Sequence, residues 1–381
     1  MRRPRIRPVF DGLPAYLPSR PVRSATGEFH PLAANESPRE PLSGILAAVN
    51  GAAGTVNRYP DFHGTELTAR LARLHGVAED QVALGAGSIA LVQMLFQAVA
   101  EPQAEVLHAW RTFELYPVLA DLAGVRSVRV PLVAERHDLP AMARQAGDRT
   151  RLVLLCNPNN PTGTLLDADE LRAFVDRIPE DCLVAVDEAY FEYVRHPAAR
   201  SAIALLADRP NLVVLRTFSK AYGLAGLRIG YLIGSPYLVA QLRKACLPYS
   251  LSSVAQAAAS AALHHREELF ARADDLVAER TRVRRVLIAD GWEVPPSEAN
   301  FVWLRLGAAS TAFGAWCADR GVAVRTFPEE GLRVSLGSPE DNDAFLAAAA
   351  AWRRKARAPV GDLPRPVPVP GRPAAPGDPA P

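Results

Sequence analysis

Three short apolar runs limit what this chain can fold into: Leu152-Val153-Leu154-Leu155-Cys156, Leu183-Val184-Ala185-Val186 and Leu212-Val213-Val214-Leu215. Each is too short for a stable helix, and half of the residues in the second and third are β-branched. None alternates with polar positions, so each reads as a strand covered on both faces. Helical patterns lie between and around them, at 64–75, 88–100, 114–123, 167–177 and 236–246. Further strand candidates stand at 82–84, 105–109, 125–130 and 229–233. Strands alternating with helices predict an α/β fold with a mainly parallel seven-stranded sheet. Ligands of such sheets gather at the carboxyl ends of the strands.

The three apolar runs end in polar residues of unlike kinds. The first enters Asn157-Pro158-Asn159-Asn160-Pro161-Thr162-Gly163, a rigid loop by its prolines and glycine. The second ends at Asp187-Glu188-Ala189-Tyr190, and the third at Thr217-Phe218-Ser219-Lys220, with Arg228 eight positions on. A lysine beside a hydroxyl and upstream of an arginine suits pyridoxal phosphate: Lys220 for a Schiff base with the aldehyde, Ser219 and Arg228 for the phosphate. Asp187 suits an ion pair with the pyridine nitrogen, and Asn160 and Tyr190 suit the ring's phenolic oxygen. Singly, Asp187 reads equally well as a helix cap and Asn160 as a turn former; the ordered set is what points to one site. Gly85-Ala86-Gly87-Ser88, between a strand and a helix opening at Ile89, adds free backbone N–H groups. Gly87, Ser88 and Ile89 are thus expected on the phosphate.

Composition narrows the class further. The chain has 381 residues, 49% hydrophobic and 22% charged, enough for two domains. A net charge of +2 builds no field suited to nucleic acid or a membrane surface. Four cysteines without paired spacing fit a reducing compartment, and neither they nor the eight histidines predict a metal site. The basic start, Met1-Arg2-Arg3-Pro4-Arg5, lacks a following apolar segment and reads as an arm rather than a signal peptide. No apolar run reaches membrane-span length. The expected location is cytoplasmic. The expected organisation is an arm over 1–34, a large domain over 35–252 and a smaller α+β domain over 253–356. In the smaller domain a long Ala-rich helical region over 253–290 precedes strands at 300–306, 322–326 and 332–336, with a helix near 310–320. The last 25 residues, nine of them proline, predict a disordered tail over 357–381.

The ordered set NES-P, RYPD, GAGS, NPNNPTG, DEAYFEY and RTFSKAYGLAGLRIGY resembles the fold-type I pyridoxal-phosphate aminotransferases, and within them the histidinol-phosphate aminotransferase subfamily. Ala109–Pro117 and Ala299–Leu304 are similar to its actinobacterial aromatic amino acid (phenylalanine) aminotransferase branch. The resemblance covers roughly residues 10 to 350. It implies that Phe113 stacks on the cofactor ring. It implies too that Tyr59 reaches the phosphate of a neighbouring subunit, making a homodimer with shared sites. Arg333 is expected on the substrate α-carboxylate, Arg325 on a distal phosphate or carboxylate, and Tyr16 near the substrate. Where the histidinol-phosphate pattern carries acidic residues, this chain has Ile89 and Ala90. The activity so implied is transfer of an amino group from Phe, Tyr or Trp to 2-oxoglutarate, with Lys220 moving the Cα proton. Histidinol-phosphate transamination and a decarboxylase similar to threonine-phosphate decarboxylase are the alternatives.

Overall fold

Alternate residues of each central strand face different cores, and that arrangement builds the fold. Val184 and Val186 pack on one side of the sheet with Val153, Leu155, Leu212 and Val214, while Ala185 packs on the other with Leu152, Leu154, Val213 and Leu215. The two sides explain the unbroken apolar runs. The computed structural model describes residues 5–13 and 27–357. In chain order the elements are α1 (Val9–Gly12), β1 (His30–Leu32), α2 (Ser43–Ala53), α3 (Thr65–His75), β2 (Val82–Gly85), α4 (Ser88–Ala98), β3 (Glu105–Trp110), α5 (Leu115–Ala123), β4 (Arg126–Pro131), α6 (Leu139–Gln145), β5 (Thr150–Cys156), α7 (Ala168–Val175) and β6 (Leu183–Asp187). They continue with β7 (Leu212–Thr217), β8 (Gly230–Gly234), α8 (Pro236–Arg243), α9 (Ser253–His264), α10 (Arg266–Ala289), β9 (Phe301–Arg305), α11 (Ser310–Ala318), β10 (Val322–Phe327), β11 (Gly331–Ser335) and α12 (Pro339–Arg357).

The large sheet has seven strands in the order β2-β8-β7-β6-β5-β3-β4. All neighbours are parallel except β8, which runs antiparallel to β2 and β7. The register aligns Cys156 with Asp187, and Asp187 with Leu215, so β5, β6 and β7 end side by side. The α/β expectation is met, and each strand lies within two residues of its expected bounds.

The small sheet has the order β1-β10-β11-β9. Leu332, Val334, Val302 and Leu304 turn into a second core with Phe313, Phe345 and Val283. The alternate residues Arg333 and Ser335, also buried, leave by the other face. Residues 30–32 lie inside the stretch read as an arm, yet they form β1, parallel to β10. Three residues carry too little periodicity to announce a strand.

The region over 253–290 divides into two helices at His265, because its halves serve different cores. Ala255, Ala258, Ala259 and Ala262 of α9 pack in the large core, whereas α10 passes from that core at Leu269 to the small one at Ala273 and Leu276. A large-domain boundary at 252 therefore leaves out α9. Ser252 caps α9 by accepting from the Ala255 N–H, and Glu267 and Glu268 occupy the first turn of α10, where acidic groups suit the helix dipole. The tail from 358 onward lies outside the described residues.

Candidate active site

The carboxyl ends of β5, β6 and β7 bring Asn160, Asp187 and Lys220 to one edge of the large sheet, and the small sheet lies against it. Arg333 of β11 donates from Nη1 to Asn160 Oδ1 at 2.7 Å and from Nη2 to the Ala33 carbonyl at 2.6 Å. Tyr190 accepts from Asn35 Nδ2 at 2.9 Å, and Asn35 Oδ1 accepts from the Ser335 hydroxyl at 2.8 Å. Lys220 Nζ lies 5.9 Å from the Tyr190 ring centre and donates to the Ala34 carbonyl at 3.0 Å. Asn160, Tyr190, Lys220 and Arg333 thus form one cluster, tied to the chain before α2 through Ala33, Ala34 and Asn35.

The electrostatics leave two groups in unusual states. Asp187 is buried; Tyr116 donates to its Oδ2 at 2.9 Å and the Ala189 N–H to its Oδ1 at 3.2 Å. Among the described residues it has no cationic partner within ion-pair distance, and burial pushes its carboxyl up to about 6. Tyr116, also buried and facing that carboxylate, is held well above the usual phenol range and stays a donor. Lys220, partly buried, is brought down to about 7 by loss of water and then by Arg333 and Arg228, with Glu36 opposing.

Beside Ser219 and Arg228, β8 and the start of α4 come into close backbone contact. Gly87 precedes α4 with φ +80°, and a Cβ there would stand 2.5 Å from Arg228 Nη2. Gly230 of β8 comes so close that a Cβ would meet the Ser88 nitrogen at 2.6 Å. Glycine at both places lets backbone, helix N-terminus and guanidinium share a small volume. Arg228 adopts φ +52°, a rare left-handed conformation for a side-chain-bearing residue. It donates to the Ala225 carbonyl at 3.0 Å and contacts the Ser219 hydroxyl at 3.4 Å.

Phe113 lies one ring from Asp187, edge-on to Tyr116 at 5.5 Å between centres, and Ile89, the second residue of α4, packs partly buried against the core. Tyr59 stands apart: it is 82% exposed and stacks on Tyr249 at 4.5 Å. Arg325 forms an ion pair with Glu114. Tyr16 lies outside the described residues. The residue reading passes over Tyr116, which holds Asp187, and over the buried Glu188–Arg216–Glu192 set. There Arg216 bonds Glu188 at 2.7 Å and Glu192 at 2.8 Å and so braces the turn that carries Tyr190. The available signal was charge placed inside apolar surroundings, since buried charges survive only when paired. A cavity of about 480 Å³, lined by His75, Arg216, Tyr222 and Arg266 among others, includes none of the site residues. Among the described residues no cluster of His, Cys, Asp or Glu is placed to hold a metal, and no helix is long and apolar enough to cross a membrane.

The strand ends thus bring together a buried carboxylate without a nearby cation, a lysine amine near neutrality, and an arginine closely approached by glycines at a helix N-terminus. The family model "Aminotransferase class I and II" matches residues 28–348, and the chain belongs to that family. It is a pyridoxal-phosphate-dependent aminotransferase of fold type I. It is 52% identical over 352 residues to a Thermobifida fusca protein named aromatic amino acid aminotransferase, covering 92% of this chain and 98% of the relative. A Streptomyces coelicolor protein of the same name is 47% identical over 353 residues, again 92% and 98%. Among solved structures, histidinol-phosphate aminotransferase from Sinorhizobium meliloti in complex with pyridoxal-5'-phosphate superposes with a TM-score of 0.83 at 29% identity, covering 92% of this chain and 98% of that one.

Proposed function

We propose that this enzyme transfers the amino group of an aromatic amino acid to 2-oxoglutarate, giving an aromatic 2-oxo acid and glutamate. Relatives 46–52% identical over more than nine-tenths of the chain and named for that activity carry the choice of donor. The site residues fit the cofactor on the chemistry of Asp187, Lys220 and the glycine cradle. Bound there, pyridoxal phosphate supplies an electron sink for charge developing at the substrate Cα.

The chain's own residues do the rest. Lys220 would hold the cofactor covalently, and its neutral Nζ is the base that would take the proton from the substrate Cα. Asp187 keeps the ring nitrogen cationic, and Tyr116 keeps Asp187 in place by donating to it. Asn160 and Tyr190 would bind the ring's phenolic oxygen, and Phe113 would stack on the ring. Gly87, Ser88, Ile89, Ser219 and Arg228 hold the phosphate. Arg333 pairs with the α-carboxylate through its planar guanidinium. Arg325 serves the distal carboxylate of glutamate. Tyr59 reaches the phosphate of a second copy, so the working unit is a cytoplasmic homodimer.

Borohydride reduction followed by peptide mapping is expected to fix the cofactor on Lys220; label on any other lysine overturns that role. The second reading, histidinol phosphate as donor, is favoured by Arg325, a cation suited to a phosphate. Purified enzyme tested with Phe, Tyr, Trp and histidinol phosphate decides between them. A tenfold advantage in kcat/KM for histidinol phosphate, about 1.4 kcal/mol of transition-state preference, reverses the assignment.

A further inference from the structure

The small sheet places two arginines side by side facing the site. Arg325 of β10 and Arg333 of β11 are direct cross-strand partners, so their side chains leave the same face with Cβ atoms about 5 Å apart. Arg333 points to Asn160. Arg325 turns instead to Glu114, which stands just before α5 in the segment that carries Phe113. The pair is shielded, with side-chain exposures of 23% for Arg325 and 26% for Glu114. A second pair crosses the same seam with opposite polarity: Arg111 donates from Nε to Glu330 Oε2 at 2.8 Å. The large domain therefore lends one cation and one anion to this seam, and the small domain does the same.

We propose that Glu114 is a specificity-determining residue: a carboxylate built into the chain that occupies Arg325 and is displaced only by a substrate with its own distal anion. The proposal rests on the reading of this site as an aminotransferase that alternates between an uncharged and an anionic side chain. A donor with an uncharged aromatic side chain leaves the Glu114–Arg325 pair closed, so no cation is stranded in a partly dry pocket. A dicarboxylate must break the pair before it gains Arg325. Glu114 thus tilts the enzyme toward aromatic donors and weakens its hold on glutamate, 2-oxoglutarate and phosphate monoesters alike.

The test is a comparison of wild-type, Glu114→Gln, Arg325→Ala and the double variant as holoenzymes. Binding is measured calorimetrically with glutarate, a dicarboxylate, and with 3-phenylpropionate, its uncharged-tail counterpart. Single-turnover kcat/KM is measured with glutamate and with phenylalanine. The expected result is that Glu114→Gln tightens glutarate about tenfold, or about 1.4 kcal/mol, and raises the glutamate-to-phenylalanine ratio of kcat/KM by a similar factor. In the Arg325→Ala background the same substitution should change neither quantity, because its effect travels through that guanidinium. An unchanged ratio in Glu114→Gln, or an equal change in the Arg325→Ala background, overturns the proposal. Circular dichroism and cofactor absorbance show whether each variant is folded and loaded, and Glu114→Asp, which keeps the charge, should retain the wild-type ratio. Wild-type inactivity toward aromatic donors refutes the parent reading instead, and the glutarate series then still reports on Glu114 by itself.

Discussion

At the scale of single residues the site is defined by groups held away from their ordinary protonation. The Lys220 amine, lowered to about 7, is largely neutral in mildly alkaline buffer, and the neutral amine is the nucleophile. Capture of pyridoxal phosphate by cofactor-free enzyme should accelerate as pH rises through about 7 and then level off; stopped-flow absorbance showing a midpoint near 10 would mean an ordinary lysine. The same shift has a consequence for stability. The unfolded chain keeps this proton up to about 10.5 and the folded cofactor-free chain only to about 7, so the contribution of Lys220 to stability rises with pH across that window. Asp187 has the opposite sign. Its folded value of about 6 against an ordinary 3.8 means its ionisation opposes folding as pH climbs past that range. Asp187→Asn should therefore raise the melting temperature of the cofactor-free protein at pH 8 while lowering kcat of the loaded enzyme by about 100-fold or more. A variant that loses stability and keeps kcat would make Asp187 a structural residue.

At the scale of elements, the contact between β8 and the start of α4 shapes the proposed phosphate cradle. Gly230→Ala places a methyl group 2.6 Å from a backbone nitrogen, which cannot swing aside as a side chain can. The substitution is expected to cost roughly 1–3 kcal/mol and to weaken pyridoxal phosphate binding, read by thermal melts with and without cofactor; equal melting shifts in both states would leave the cradle uninvolved. How legible an element is in the sequence follows from how many of its faces are covered. The strands β5, β6 and β7 are plain to read because both their faces are apolar, and their polar ends point to the cluster at Asn160, Asp187 and Lys220. The strand β1 is hidden by its length. The helix α12 shows Phe345, Ala348, Ala349 and Trp352 at helical spacing, but its alanines mute the contrast between faces. The break at His265 is invisible locally, since it arises from α9 and α10 choosing different cores. Asn35 and Tyr116, both in segments singled out by resemblance, reveal their partners only in three dimensions.

At the scale of the molecule, the exposed aromatic group around Tyr59 is the surface the proposed dimer would cover. Tyr59 stacks on Tyr249 and Phe62 meets Tyr249 edge-on, and Val56 and Leu247 near them in sequence are also exposed. Leaving this much apolar surface in water is unfavourable. The enzyme should sediment as a dimer, and Tyr59→Ala should weaken phosphate retention in the partner's site. Mixing inactive Lys220→Ala and Tyr59→Ala enzymes should then restore part of the activity. A monomer with full activity at assay concentration contradicts the shared site.

The pairing of His30 with Val322 sets an order of assembly. β1 leaves the ribosome before any of the large sheet has been made, and its neighbour in the small sheet follows about 290 residues later, roughly 15–60 s at ordinary elongation rates. During that interval the large sheet has all seven of its strands, while the first strand of the small sheet waits without a partner. Arg333, proposed above to pair with the substrate carboxylate, arrives with the last strand of the small sheet. Stalled chains ending before residue 322 are thus expected to bury the large core yet lack the carboxylate anchor, so the ability to hold substrate is the last property the nascent enzyme acquires.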